Sequence, residues 1–117
     1  MLSTSKPIES STPEEITLIS NGVKIVGKIS SRGNIRIEGE VQGDISSEDS
    51  VVVGENAYVN GNINAVSILI GGKVTGTVNA KEKLTLSAKG NLKGDIFTKL
   101  LIVKEDATFN GNSKVGS

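Results

Sequence analysis

The sequence predicts an all-β fold, a parallel β-solenoid of about six windings with a triangular cross-section, and three observations carry that prediction. Apolar residues alternate with polar ones at period 2, as in AVSILIGGKVTGTVNA from 65 to 80, where Val66, Ile68, Ile70, Gly72, Val74, Gly76 and Val78 take every second place. A glycine returns on the apolar side about every 17 residues. Aromatic residues are 3% of the 117-residue chain and tryptophan is absent, so the core has to be built from Val, Ile and Leu in a repeated arrangement.

Residues 1–15 differ from everything that follows: four Ser, two Thr, two Pro and three Glu stand among few apolar groups. Such a segment cannot offset its ordering entropy by burial, so a flexible N-terminal tail is expected there. Its lipid contact, if it has one, falls to Met1, Leu2 and Lys6, against the repulsion of an anionic surface by Glu9, Glu14 and Glu15. The solenoid is expected over residues 16–113, with a short C-terminal end at 114–117.

Within 16–113 the repeat is anchored by a phrase in which a central glycine is flanked, two residues away on each side, by apolar residues. It reads IVGKI, VQGDI, VNGNI, VTGTV, LKGDI and, with a polar last position, FNGNS. The glycines are Gly27, Gly43, Gly61, Gly76, Gly94 and Gly111, at spacings of 16, 18, 15, 18 and 17. Four residues before each lies Val23, Gly39, Ala57, Gly72, Gly90 or Ala107, a small residue in all but the first. Upstream again stand aliphatic pairs, taken as Ile35/Ile37, Val51/Val53, Val66/Ile68, Leu84/Leu86 and Leu100/Ile102, and length varies in the bridges between phrases, as in GENA against SAKG.

Each unit is then one winding of three short strands, and the stretch from 65 to 80 bends at its glycines, where the backbone approaches its neighbour closely or takes φ > 0. A winding cannot bury its own apolar face, so the terminal windings present open core and unpaired strand edges. No helical period or capping box flanks the repeats to cover them. The column Ile25, Val41, Val59, Val74, Leu92 and Phe109 ends in its only aromatic ring. Phe109, with Leu100 and Ile102, is expected to meet the terminal winding of another subunit, and Ile19, Val23 and Ile25 form the corresponding set at the other end.

Composition excludes several function classes. Thirteen basic and thirteen acidic residues cancel, which removes the positive field of a nucleic-acid binder. With no histidine and no cysteine, the commonest acid–base group, the commonest metal ligand and the thiolate nucleophile are all missing. GGKVTG lacks the order of a phosphate-binding loop, EGEVQGDISSED lacks the register of a calcium loop, and neither cofactor nor metal is expected. No apolar window is long enough to span a membrane and the N-terminus has no apolar central stretch, so a cytoplasmic location is expected.

The stretch ITLISNGVKIVGKISSRGNIRIEGEVQGDI, from 16 to 45, followed by VVVGENAYVNGNI and ending near ATFNGN, resembles the bactofilins, a bacterial family of polymer-forming cytoskeletal proteins. That resemblance implies a right-handed parallel β-helix and no enzymatic activity. It also implies end-to-end homopolymerisation, without nucleotide, into non-polar filaments at the inner face of the cell membrane. The implied role is a scaffold in cell shape, stalk growth or placement of cell-wall enzymes. The lone Lys6 departs from the several lysines of membrane-binding members, and the Pro-rich C-terminal tail common in the family is not seen before Ser117.

Two other readings compete with it. One is a solenoid binding module that does not polymerise. The other is a solenoid enzyme such as a hexapeptide acyltransferase, which the missing six-residue period and missing histidine oppose. Only Thr75 and Thr77 form a Thr-x-Thr pair, so an ice-binding ladder is absent. Charge is uneven: 38–55 holds six acidic and no basic residues, whereas 73–104 holds seven lysines against Glu82 and Asp95. On the charges alone this favours head-to-tail stacking or lateral antiparallel pairing.

Overall fold

The fold is known from a computed structural model that describes residues 16–116. Winding one holds β1 (Ile16–Ile19), β2 (Lys24–Val26) and β3 (Ile29–Ser31), and winding two holds β4 (Asn34–Ile37), β5 (Glu40–Gln42) and β6 (Ile45–Ser47). Winding three holds β7 (Ser50–Val53), β8 (Tyr58–Asn60) and the first part of β9 (Ile63–Ile70), which runs on into winding four. The longer β10 (Lys73–Leu86) and β11 (Asn91–Val103) likewise pass from one winding into the next, and β12 (Thr108–Val115) closes winding six. All pairing is parallel, each strand lying over its equivalent one winding away. The fold is thus the all-β parallel solenoid of about six windings that the repeat predicts, and β12 carries the last winding to Val115.

Stacking in register lines up the inward side chains into columns. On the second face Ile25, Val41, Val59, Val74, Leu92 and Phe109 are aligned partners, and on the third Ile29, Ile45, Ile63, Val78 and Ile96 are. The first face contributes two columns, Ile35–Val51–Ile68–Leu84–Leu101 and Ile19–Ile37–Val53–Ile70–Leu86–Val103. Apart from the exposed Val103, these side chains form or pack against one continuous core. Two of the aliphatic pairs expected from sequence are corrected here: the inward pairs are Ile68/Ile70 rather than Val66/Ile68, and Leu101/Val103 rather than Leu100/Ile102.

The uneven repeat length resides in two corners. Between the first and second strands the chain uses either two residues, as at 38–39 and 71–72, or four, as at 20–23, 54–57, 87–90 and 104–107. Each four-residue corner closes as a β-turn, Val23 N–H donating to Ser20 O at 3.1 Å and Ala57, Gly90 and Ala107 N–H to Gly54, Ser87 and Lys104 O at 3.0, 2.8 and 3.2 Å. Between the third strand and the next winding there are two residues or one, and the lone Val66 and Lys99 oppose the pair Lys81–Glu82 as a register shift in β10. Where this corner has two residues, buried serines can satisfy it: Ser31 Oγ accepts from Gly33 N–H at 3.1 Å, and Ser47 Oγ donates to Gly33 O at 2.6 Å and accepts from Asp49 N–H at 3.0 Å.

The corner between the second and third strands never varies, and one glycine makes it. Gly94 has φ +135°, and a Cβ there would overlap the carbonyl oxygen of Gly76 beneath it. The same overlap recurs up the stack, Gly43 onto Gly27, Gly61 onto Gly43, Gly76 onto Gly61 and Gly111 onto Gly94. Gly22 separates the two effects, because it also has positive φ (+89°) but nothing stands within 4 Å of its missing Cβ. Gly22→Ala is expected to cost about 1 kcal/mol from backbone strain alone, and Gly94→Ala more than about 3 kcal/mol because strain and overlap act together. Urea unfolding followed by circular dichroism measures both, and equal losses would mean that close contact between windings adds nothing.

Candidate polymer interface

Backbone groups in a solenoid are satisfied only by the windings above and below. β1, β2 and β3 pair only with β4, β5 and β6, and β12 pairs only with β11. Each end of the rod therefore carries strand edges with no partner strand among the described residues, and no helix covers them there.

The two ends differ in how much apolar surface they leave open. At the first winding Ile19 is 3% exposed and Ile25 and Ile29 are buried, while Val23, in the first corner, is exposed at the threshold of the core. At the last winding Leu101, Ala107 and Phe109 pack against the core but are only partly buried, and Val103 and Val115 stand 51% and 50% exposed. Phe109 lies directly over Leu92, which is fully buried, so the ring caps a column that is solvent-free one winding below.

Leu100 and Ile102 do not join that set. Leu100 aligns with Lys83 and is 52% exposed, and Ile102 aligns with Thr85 on the outer side of the same face. The four residues Leu100, Leu101, Ile102 and Val103 are all apolar, so period-2 alternation cannot choose between the two sides; the ladder with β10 does. A signal was nonetheless present: Val103 lies four residues before Ala107, as Val53 does before Ala57 and Leu86 before Gly90, whereas Ile102 would leave a bridge longer than any other. Leu101, Val103 and Val115 are the end residues that sequence reasoning missed. Met1, Leu2 and Lys6 lie outside the described residues.

The uneven charges lie along the sides of the rod, and the acidic stretch draws its counter-ions from outside itself. Arg36 Nε donates to Glu38 Oε2 at 2.7 Å, Lys24 Nζ lies 4.0 Å from Glu40, and Lys89 Nζ lies 3.5 Å from Glu55. These pairs are exposed and contribute little each, but they flatten the gradient along the chain. Among the described residues no three His, Cys, Asp or Glu side chains gather as a metal site would require, and no helix is long and apolar enough to cross a membrane.

Comparison with known proteins agrees with this geometry. The chain is 32% identical to Bactofilin BacO of Myxococcus xanthus (strain DK1622) over 96 residues, covering 82% of this chain and 76% of that protein. It is 24% identical to Bactofilin BacP of the same organism over 115 residues, 98% of this chain, and spans about half (48%) of BacP's length. No solved structure matches the chain. Residues 17–114, a span that takes in all six windings, match the bactofilin family, described as polymer-forming cytoskeletal, and the chain belongs to that family.

Proposed function

We propose that this chain is a cytoskeletal subunit that stacks end to end on copies of itself, without nucleotide, into non-polar filaments. Those filaments act as a scaffold at the inner face of the cell membrane in cell shape or cell-wall processes, where they recruit cell-wall enzymes. The observation that carries this reading is the last winding, where Phe109, Val103 and Val115 sit over a dry core beside the free edge of β12. A second copy placed there continues the parallel or antiparallel ladder and covers those side chains. Burying the ring of Phe109 contributes on the order of 2 kcal/mol by area. The family's description as polymer-forming supports the same reading.

In a non-polar filament like ends meet, so Phe109 faces its own copy across one joint and the Ile19, Val23 and Ile25 end faces its copy across the other. The side charges do not decide this polarity, because the joints are apolar and the charges line the rod. The tail at residues 1–15, through Met1, Leu2 and Lys6, is the segment that reaches lipid.

Negative-stain microscopy of the purified chain without nucleotide or metal is expected to show filaments, and a monodisperse monomer across a range of salt overturns the proposal. Phe109→Arg places a charge in the joint, costly when buried without a partner but free to reach water at an open end. The variant is expected to keep its circular dichroism, form no filaments and stop at a dimer joined through the first windings. A variant that stops at a monomer would instead indicate head-to-tail stacking, and persisting filaments would remove Phe109 from the joint.

Deleting residues 1–15 is expected to leave folding and filaments intact, since the sequence repeat begins only after them, and to abolish flotation with anionic liposomes. Equal flotation of full-length and truncated chains would rule out the tail as the lipid contact.

A further inference from the structure

The three outer faces of the rod are not alike. Outward positions on the third face are Ser30, Ser46, Asn64, Asn79, Phe97 and Lys114, polar in all but one winding. On the first face the central outward row reads Leu18, Arg36, Val52, Leu69, Thr85 and Ile102 from winding one to winding six. Leu18 is 58% and Leu69 39% exposed, Val52 and Ile102 are partly exposed, and the one charge, Arg36, is already held by Glu38 at 2.7 Å. This row is apolar in four of the six windings.

Its order is palindromic: apolar, polar, apolar, apolar, polar, apolar. Rotating a second copy by a half turn about an axis parallel to the strands, between windings three and four, reverses the row against itself. Leu18 then faces Ile102 of the other copy, Val52 faces Leu69, and Arg36 faces the hydroxyl of Thr85. In the flanking row Lys83 faces Asn34 and Ser50 faces Ser67, so no like charges meet. Parallel rods would instead set Arg36 against Arg36 at the centre of the face. We infer that the first face is a lateral, isologous contact between two antiparallel copies of this chain.

The size of the face says how such a contact works. Six windings of about 4.8 Å by four residues of about 3.3 Å give roughly 380 Å² on each partner, about half of the ~800 Å² of a stable interface. Two isolated chains pair weakly, whereas chains already joined end to end pair through many such faces at once. That gain along a stack rests on the axial filament proposed above; the lateral geometry does not.

The chain has no cysteine, which makes the geometry directly testable. Arg36→Cys chains are mixed with size-tagged Thr85→Cys chains and treated with a short bis-maleimide. Any axial joint leaves these positions at least three windings, or about 14 Å, apart, beyond the reach of such a linker. The mixed product is expected to dominate over either homodimer, and to be lost when both chains also carry Leu69→Asp, with circular dichroism unchanged. Filaments by microscopy without the mixed product overturn the lateral contact and leave the axial one standing. The mixed product without filaments supports the lateral contact and removes the axial one. Dominant Arg36→Cys homodimers mean parallel pairing and overturn the proposal. So does an absent mixed product combined with flotation on phosphatidylglycerol vesicles that Leu69→Asp abolishes, which assigns the face to lipid.

Discussion

From Gly43 onward, each glycine of the second corner rests on the carbonyl oxygen of the glycine one winding below, in the space where any other residue would carry a Cβ. That contact fixes how far every winding is shifted relative to the next, because a slip of one residue would drive a side chain into backbone. Once the corner is aligned, the strands on either side of it are aligned as well, and the inward columns follow. The corner keeps the same length in all six windings, while the other two corners absorb every insertion. Five copies of one backbone contact thus hold the register that a single long-range pairing holds in other folds.

The same geometry explains why function has to be sought at the surfaces of the rod. Interior space is filled by Val, Ile and Leu in a single dry cluster, and the few buried polar groups, Ser31, Ser47 and Thr98, serve the corners. A stack of equivalent windings has interaction terms only between neighbours, so its last winding lacks half of the contacts that stabilise the rest. Phe109, Val103 and Val115 show that deficit as exposed surface. Association with another copy is the simplest way to supply the missing neighbour, and the family to which the chain belongs is described as polymer-forming.

Axial and lateral surfaces divide the chemistry between them. The ends offer strand edges with no partner among the described residues, to which the last winding adds open apolar side chains, and such a contact is directional. The sides offer exposed ion pairs, each of small worth, and one apolar face whose area is too small to act alone. Salt then bears more on the sides than on the joints.

By itself the sequence determined the fold class, the number of windings, the glycine corners, the second-face column ending in Phe109 and the absence of histidine and cysteine chemistry. All of these rest on local signals, a two-residue alternation and a glycine whose positive φ is required within its own turn. Tertiary structure decided which side of Leu100–Val103 and of Val66–Ile70 faces inward, because runs that are apolar at every candidate position carry no preference of their own and take their register from the neighbouring strand. It also decided that Val103 and Val115 stand open beside Phe109, and that Leu18, Val52, Leu69 and Ile102, scattered through 85 residues of chain, form one stripe. Outward rows are invisible along the chain because their members are separated by corners of unequal length, and only stacking brings them to a common face.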